Sequence, residues 1–487
     1  MRIRSGGHDY DGLSYVAKAP FSILDMFMLR SVKVNVQDQT VWVDSGSTIG
    51  ELYYGIAEKS KILGFLAGVC HSVGVGGHFS GGGYGNMMRR FGISVDHILD
   101  ALIVDAEGRV LNRKGMGEDL FWAIRGGGGA SFGWGHCFME NQVGSRASCC
   151  NGASDIVHQW QYVANKIHDG LFIRVVLSPV TRMGKKTIRA KFNALFLGNA
   201  QELVHVMNAS FPQLGLVGEQ CIQMSWINSV LFWDNFPVGT SAKALLERHG
   251  TPEKFLKKKS DYVQKPISKA ALEGIWKKMM ELHTLCYRTL SILSHRGSNS
   301  PFTPNLSVGA PFQSSKNTGR LRQISAGRSR SRRSGQKGRK RRDPELEKPA
   351  LTLNPYGGKM SEISEKETPF PHRGGNIYKI QYSVVWKEKS EDVANRYLHA
   401  IRSLYDYMSP YMSSSPRSSY LNYRDVDIGV NGPGNSTYAQ ASVWGKKYFK
   451  TNFDRLVKIK SKVDPSNFFR YEQSIPSIAS AHSIMSE

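Results

Sequence analysis

Cysteine is scarce in this 487-residue chain: Cys70, Cys137, Cys149, Cys150, Cys221 and Cys286 are all there is. None of them stand in CxxC pairs or at zinc-type spacing, which argues against a bound metal. Long apolar runs are missing too; nothing approaches the roughly 20 residues of a membrane-spanning helix. There is no charged-then-apolar leader, since Met1-Arg-Ile-Arg runs straight into a glycine motif, and that start reads as cytoplasmic. Acidic residues vanish between His283 and Arg342, where fourteen Lys or Arg lie. That one stretch supplies 14 of the net charge of +24, leaving +10 for the rest, an ordinary enzyme surface. The Arg/Ser run at 320–342 could suggest nucleic acid, but dense like charges of this kind are usually only solvated, so no nucleic-acid partner is expected.

Glycine is abundant instead, with 49 residues concentrated in loops. Gly68–Gly85 (GVCHSVGVGGHFSGGGYG) is glycine at eight of eighteen positions and also holds Cys70, His71, His78 and Tyr84. Glycine permits close approach of a ligand to the backbone, and successive N–H groups suit a pyrophosphate. Val73, Val75 and Phe79 among the glycines mark a packed loop rather than a linker. A second glycine element, Arg4–Tyr15 (RSGGHDYDGLSY), carries His8 and Tyr10, and a third runs through Gly126–Gly129.

Between these loops the periodicity predicts strands at Val32–Val36 and Val41–Val43, and a helix over 49–60 capped by Ser47 or Thr48. Ala101–Val104 and Val110–Leu111 read as a hairpin, and 118–124 as a short helix. Strands with short helices and glycine loops fit a mixed α/β nucleotide-cofactor domain. Residues 135–152 have neither period. Beyond them come helices at 156–168, 200–208, 241–249 and 267–282, and strands at 172–177 and 187–196. The second of these strands sets Ile188, Ala190, Phe192, Ala194 and Phe196 on one face. From 283 to 344 the Ser, Arg and Gly content predicts disorder. Strands follow at 351–354 and 377–385, then a helix at 393–408, a strand-like 420–429 and one last helix at 442–461.

His8 in RSGGHDY and Cys70 in GVCHSVGVGGHFSGGGYG resemble the two flavin attachment points of the berberine bridge enzyme-like proteins. These are plant FAD-linked oxidases of the vanillyl-alcohol oxidase superfamily. Five further separated motifs agree in order: Phe121–Gly133, Asn354–Met360, Tyr378–Tyr382, Tyr420–Asn431 and Trp444–Pro476. The resemblance implies an α+β fold, with a two-part PCMH-type FAD-binding domain and a substrate domain whose antiparallel sheet is covered by helices. It assigns 1–134 to the first FAD-binding part, 153–282 and 346–437 to the substrate domain, and 438–478 to a segment returning to the flavin. The segments 135–152 and 283–345 depart from the family pattern and read as an aberrant stretch and a basic disordered insertion, translated from retained intron or mis-joined exons. Family members begin upstream of RSGGHDY with a secretory leader, so the chain is expected to lack the first part of the FAD-binding domain. Asn208-Ala-Ser and Asn435-Ser-Thr are glycosylation sequons that fit a secreted parent.

By the same resemblance, His8 bonds the flavin 8α-methyl and Cys70 its C6 carbon. Ser5, Gly6, Gly7, Gly74, Gly76, Gly77, His78, Ser80, Gly81 and Asn467 join in holding FAD, and Gly126, Gly127 and Gly128 cradle its pyrophosphate. Tyr84 matches the family's base and Lys379 the cation that stabilises its phenolate, since a phenol with a reference pKa of about 10 needs a nearby ammonium to act at neutral pH. Gln381 stands where some alkaloid-forming members carry a glutamate base, which points to the alcohol-oxidising branch. Tyr10, Tyr420, Asn422 and Tyr423 match positions lining the site. Val73 matches a position associated with oxygen access and suggests an oxidase. His71-Ser72 replaces the family's common Pro-Thr after the cysteine. The implied reaction is hydride transfer from an alcohol, a phenylpropanoid allylic alcohol or a carbohydrate hydroxyl, with O2 as acceptor in a monomer free of membrane or metal. The alternative is a non-catalytic product of a damaged gene.

Overall fold

The computed structural model describes residues 1–140, 154–182, 184–248, 255–287, 348–432 and 436–478. The readings for 141–152 and 288–345 and the Asn435 sequon lie outside them. Strands β1 (Arg2–Arg4) and β2 (Ile23–Asp25) pair in parallel and bracket the loop carrying His8. The valine alternation folds as the hairpin β3 (Val32–Asn35) and β4 (Thr40–Asp44), turning at Gln39 with φ 53°. Strands β5 (Ile98–Val104), β6 (Val110–Leu111) and β7 (Trp134–Glu140) complete a five-stranded antiparallel sheet in the order β3-β4-β7-β5-β6.

The strand β7 corrects the reading of 135–152 as lacking any element. It lies at the sheet's centre, paired on both sides from Thr40↔Glu140 to Val104↔Trp134. A central strand draws on two backbone ladders and needs no apolar/polar alternation to hold its place. Thr48 caps helix Ile49–Lys59 in a capping box, accepting from the Glu51 N–H at 3.1 Å while Glu51 accepts from the Thr48 N–H at 2.9 Å.

A second antiparallel sheet is built from β8 (Leu171–Arg182), β9 (Lys185–Phe196), β10 (Phe255–Val263), β11 (Ala350–Pro355) and β12 (Tyr378–Trp386), in the order β10-β12-β11-β8-β9. Side chains alternate across it. One face, with Ile173, Val175, Leu177 and Phe192, packs on helices Ser154–Val163, Lys269–Tyr287 and Glu391–Tyr407 through Trp160, Ile275, Met279, Ile401 and Leu404. The opposite face, with Arg174, Val176 and Ser178 and with Arg189, Lys191 and Asn193, looks into a cavity. A third core joins helix Arg113–Ile124 to the C-terminal helices through Trp122, Trp444, Phe453 and Leu456.

Several expectations change. The amphipathic helix at 241–249 is only a 3₁₀ segment, Ala242–Leu246. Residues 283–287, expected to be disordered, continue helix Lys269–Tyr287. Tyr420–Gly429 is no strand; its one regular piece is a 3₁₀ turn, Val426–Ile428. The last helix is two, Tyr438–Phe449 and Asn452–Val463, broken at Lys450 where φ is 48°. Strand β10 escapes the sequence pattern because FLKKKSDYV looks like surface. Two of its lysines point inward instead. Lys257 Nζ lies 2.7 Å from Asp11 and 2.9 Å from Asp425, and Lys259 Nζ lies 2.6 Å from Asp425 and 2.9 Å from Asp427. This buried network ties the His8 loop, the second sheet and the Tyr420–Asn431 segment together. Among the described residues no helix is long and apolar enough to cross a membrane.

Candidate active site

The two sheets and the glycine loops enclose a cavity of about 660 Å³. The loops meet backbone to backbone at Gly6 and Gly74. A Cβ on Gly74 would lie 2.2 Å from the Gly6 nitrogen, and one on Gly6 would lie 2.3 Å from the Gly74 nitrogen. Only glycine fits both positions, and the contact brings His8 beside Cys70. Ser72 bridges them, its Oγ 3.1 Å from His8 Nε2 and 3.6 Å from Cys70 Sγ. His8 and Cys70, the two expected attachment points, both line the cavity.

Burial in the cavity wall, with the charge of Lys258, pushes the His8 imidazole down to about 4, so at neutral pH its ring carries a free nitrogen lone pair. Burial and the Asp234 carboxylate push the Cys70 thiol up. His78 is held neutral at about 3 by burial and Lys379. Its Nε2 accepts the Gly68 N–H at 2.9 Å, and its carbonyl accepts from Asn422 Nδ2 at 2.7 Å. His71, the other imidazole of the loop, does not face the cavity; it turns to Asp234, which accepts its backbone N–H at 2.9 Å and also engages Nδ1.

Opposite the anchors, Tyr84, Tyr420 and Tyr423 pack edge to face, with centroids 5.1–6.0 Å apart. Tyr84 Oη is hydrogen-bonded to Tyr423 Oη. Gln381 Nε2 donates to Tyr10 Oη at 2.9 Å, and Tyr10 lies 5.4 Å from the Tyr423 ring. Tyr420 Oη accepts from the Gly83 N–H at 3.2 Å and from Asn422 Nδ2 at 3.0 Å, pinning the glycine loop.

Lys379 sits behind this cluster, fully buried, with Nζ 3.2 Å from the Tyr84 ring centroid rather than at its hydroxyl. The expected cation thus lies against the expected base, over its ring. Burial, reinforced by Arg174, drives the Lys379 amine well below its ordinary value. Burial likewise raises the Tyr84 phenol, against the pull of Arg174 and the Tyr423 hydrogen bond. The phenol therefore rests protonated.

Most of the expected residues converge. Ser5, Gly6, Gly7, Val73, Gly74, Gly76, Gly77 and Ser80 line the cavity with the anchors, as do Tyr84, Gln381, Tyr420, Asn422 and Tyr423. Four do not. Gly81 makes room for Asn422, whose Oδ1 a Cβ there would meet at 1.9 Å. Gly126 and Gly127 face Phe370 and Leu456; Gly128 and Gly129 are the members of that run that reach the cavity. Asn467 sits buried in a left-handed turn, φ 54°, after helix Asn452–Val463, away from the cavity lining.

The FAD binding domain family profile matches residues 1–113, and the Berberine and berberine like profile matches residues 419–476. Over 491 aligned residues the chain is 46% identical to berberine bridge enzyme-like 8 of Arabidopsis thaliana, covering 98% of this chain and 80% of that one. The chain belongs to the berberine bridge enzyme-like family. Among solved structures, berberine bridge enzyme-like 28 of Arabidopsis thaliana is 40% identical with a TM-score of 0.79, covering 98% of this chain and 86% of that one. Phl p 4, a grass pollen allergen with glucose dehydrogenase activity, is 36% identical with a TM-score of 0.79, covering 98% and 85%. An isoleucine-to-valine variant of Phl p 4 is a glucose oxidase.

The α+β architecture is thus the PCMH-type FAD-binding fold of this family of FAD-linked oxidoreductases. The cavity fits that cofactor on its own terms. A Cβ on Gly77 would meet no protein atom within 4 Å, so this wall is left open at the backbone for a ligand to approach. The sequence pattern does not single out Arg174, Arg189, Lys191, Lys258 and Thr352, which form the polar wall across from the glycine loops. A signal for Arg189 and Lys191 does exist, because they are the alternate positions to the apolar face recognised in β9.

Proposed function

We propose that the chain is an FAD-dependent alcohol oxidase whose flavin is bonded through both His8 and Cys70. The observation that carries this reading is their placement. A neutral imidazole and a thiol, joined by Ser72, share one wall of a cavity that Tyr84 closes from the other side. Bound FAD supplies the hydride acceptor and, reoxidised by O2, the source of H2O2.

The chain's own residues handle the proton and the orientation. Tyr84 acts as the base, its phenolate taking the substrate hydroxyl proton, and a Lys379 ammonium over the ring balances that charge. Gln381 and Tyr10 hold Tyr423 against Tyr84, and Asn422 and Tyr420 hold the glycine loop in register. Gly76, Gly77, Gly128 and Gly129 would lie along the cofactor where no side chain intervenes. The hydroxyl, amide and cationic groups of the second sheet favour a carbohydrate hydroxyl over an aromatic allylic alcohol. Val73, small and apolar in the cavity wall, favours O2 as acceptor, in line with the oxidase behaviour of the valine variant of Phl p 4.

The test is a peroxide-coupled screen of mono- and oligosaccharides and of allylic alcohols on purified, flavin-loaded protein. Peroxide formation with at least one alcohol is expected. Flavin reduction without peroxide would make the protein a dehydrogenase, and no reduction by any alcohol would remove the proposal.

A further inference from the structure

We propose that Asp234, acting through His71, is a positioning residue that sets the turn carrying Cys70 against His8. The inference rests on the proposed oxidase function only in taking Cys70 and His8 as the pair whose spacing matters. His71 is the one imidazole of the glycine loop that turns away from the cavity, and it is held on three sides. Its N–H donates to Asp234 Oδ2 at 2.9 Å, its Nδ1 engages the same oxygen, and its carbonyl accepts the Gly50 N–H at 2.8 Å. Its ring leans on Phe236, with centroids 5.2 Å apart. Asp234 caps the C-terminus of helix Trp226–Trp233, and the flanking Trp233 and Asn235 line the cavity. One carboxylate therefore couples the end of that helix to the residue between Cys70 and Ser72.

The consequence falls on Ser72. Its hydroxyl touches both anchors, so a shift of the turn moves Cys70 and releases His8 at once. Asp234 also raises the Cys70 thiol through its charge, so the positioning role shows only in the reactivity of Cys70 per thiolate. The charged and titratable groups facing His71 are Asp234 and Glu247, with His8 across the turn. The hydrogen bond that His71 donates to Asp234, opposed by burial, raises the pKa of His71. A raised folded-state value means the latch is strongest below the ordinary histidine pKa and loosens as pH rises through the folded value.

The test follows alkylation of Cys70 in the full chain by peptide mass spectrometry, from pH 5 to 9, in wild type, Asp234→Asn and Asp234→Glu. In wild type the labelling rate should climb faster than thiolate formation alone allows, with the extra rise at the His71 titration. With each rate divided by the thiolate fraction from that protein's own Cys70 titration, Asp234→Asn should label about tenfold faster at pH 6, because a charge-assisted bond is replaced by a weaker neutral one, and should lose the extra rise. Asp234→Glu should restore much of the slow rate. Equal rates and identical pH profiles for wild type and Asp234→Asn overturn the proposal. Where the protein is isolated already flavinylated, the share of flavin on the Cys70 peptide against the His8 peptide decides the same question: a selective fall at Cys70 in Asp234→Asn supports the proposal and an unchanged ratio overturns it. A chain that takes up no flavin at all would count against the oxidase reading, while the labelling series would still decide the role of Asp234.

Discussion

Tyr84 keeps its proton in the resting cavity because burial disfavours the phenolate, and the same burial lowers the Lys379 amine. Lys379 Nζ lies 3.2 Å from the Tyr84 ring centroid, near enough for its charge to act on a phenolate. Replacing Tyr84 with Phe keeps the ring under Lys379 but removes the acceptor. Turnover should fall by about 10²–10⁴-fold, the usual contribution of a positioned acid–base group, with flavin content unchanged. Lys379→Met should lower kcat in the same direction, because the phenolate then forms with no counter-charge. Stopped-flow flavin reduction measures both, and a Tyr84→Phe enzyme that reduces its flavin at the wild-type rate contradicts the assignment.

At the scale of loops and strands, two neighbouring glycines serve different purposes. Gly74 has no room for a Cβ beside Gly6, so Gly74→Ala should force the two anchor loops apart and cost about 1–3 kcal/mol or more in urea unfolding. Gly77 has open space, so Gly77→Ala should leave stability within about 0.5 kcal/mol but reduce FAD content, measured by the ratio of flavin to protein absorbance. Equal FAD content in both Gly77 forms contradicts the cradle. The same elements show what a sequence discloses. The β3–β4 hairpin, the capped helix Ile49–Lys59 and the β8–β9 pair are legible because alternation and capping are local signals. The residues of the anchor loops are legible because their side chains and glycines occur together. What is not legible depends on distant partners. Strand β7 rests on two ladders, β10 hides its lysines against aspartates 246 and 166 positions away in sequence, and Lys450 at the helix break reaches Glu365 at 2.6 Å. Likewise the turning of His71 away from the cavity depends on Asp234, which nothing near Cys70 announces.

For the whole molecule, the Lys257–Lys259–Asp11–Asp425–Asp427 network is the joint between the anchor loop, the second sheet and the Tyr420–Asn431 segment, with Arg402 completing it 2.7 Å from Asp427. Burial works to raise Asp427, but the Arg402 hydrogen bond and the charges of Lys257 and Lys259 hold it well below the usual carboxylate range. A depressed folded-state value adds stability above the unfolded pKa of about 3.9 and loses it as pH falls toward the folded one. Lys257, opposed by burial but raised by Asp425 and Asp11, adds stability that is lost only at strongly alkaline pH. Asp11 works the other way, since burial raises it. The urea midpoint should therefore drop as pH falls below about 4, and Asp427→Asn should flatten that drop; an unchanged slope in Asp427→Asn contradicts the role given to the network. Under the proposed function this joint presents His8 and Cys70 to one flavin, and acid precipitation of the purified protein is the test. Wild type should carry its flavin absorbance into the pellet, each single variant His8→Ala and Cys70→Ala should retain it through the other bond, and the double variant should release it. Wild-type protein that releases all its flavin into the acid supernatant would contradict the account.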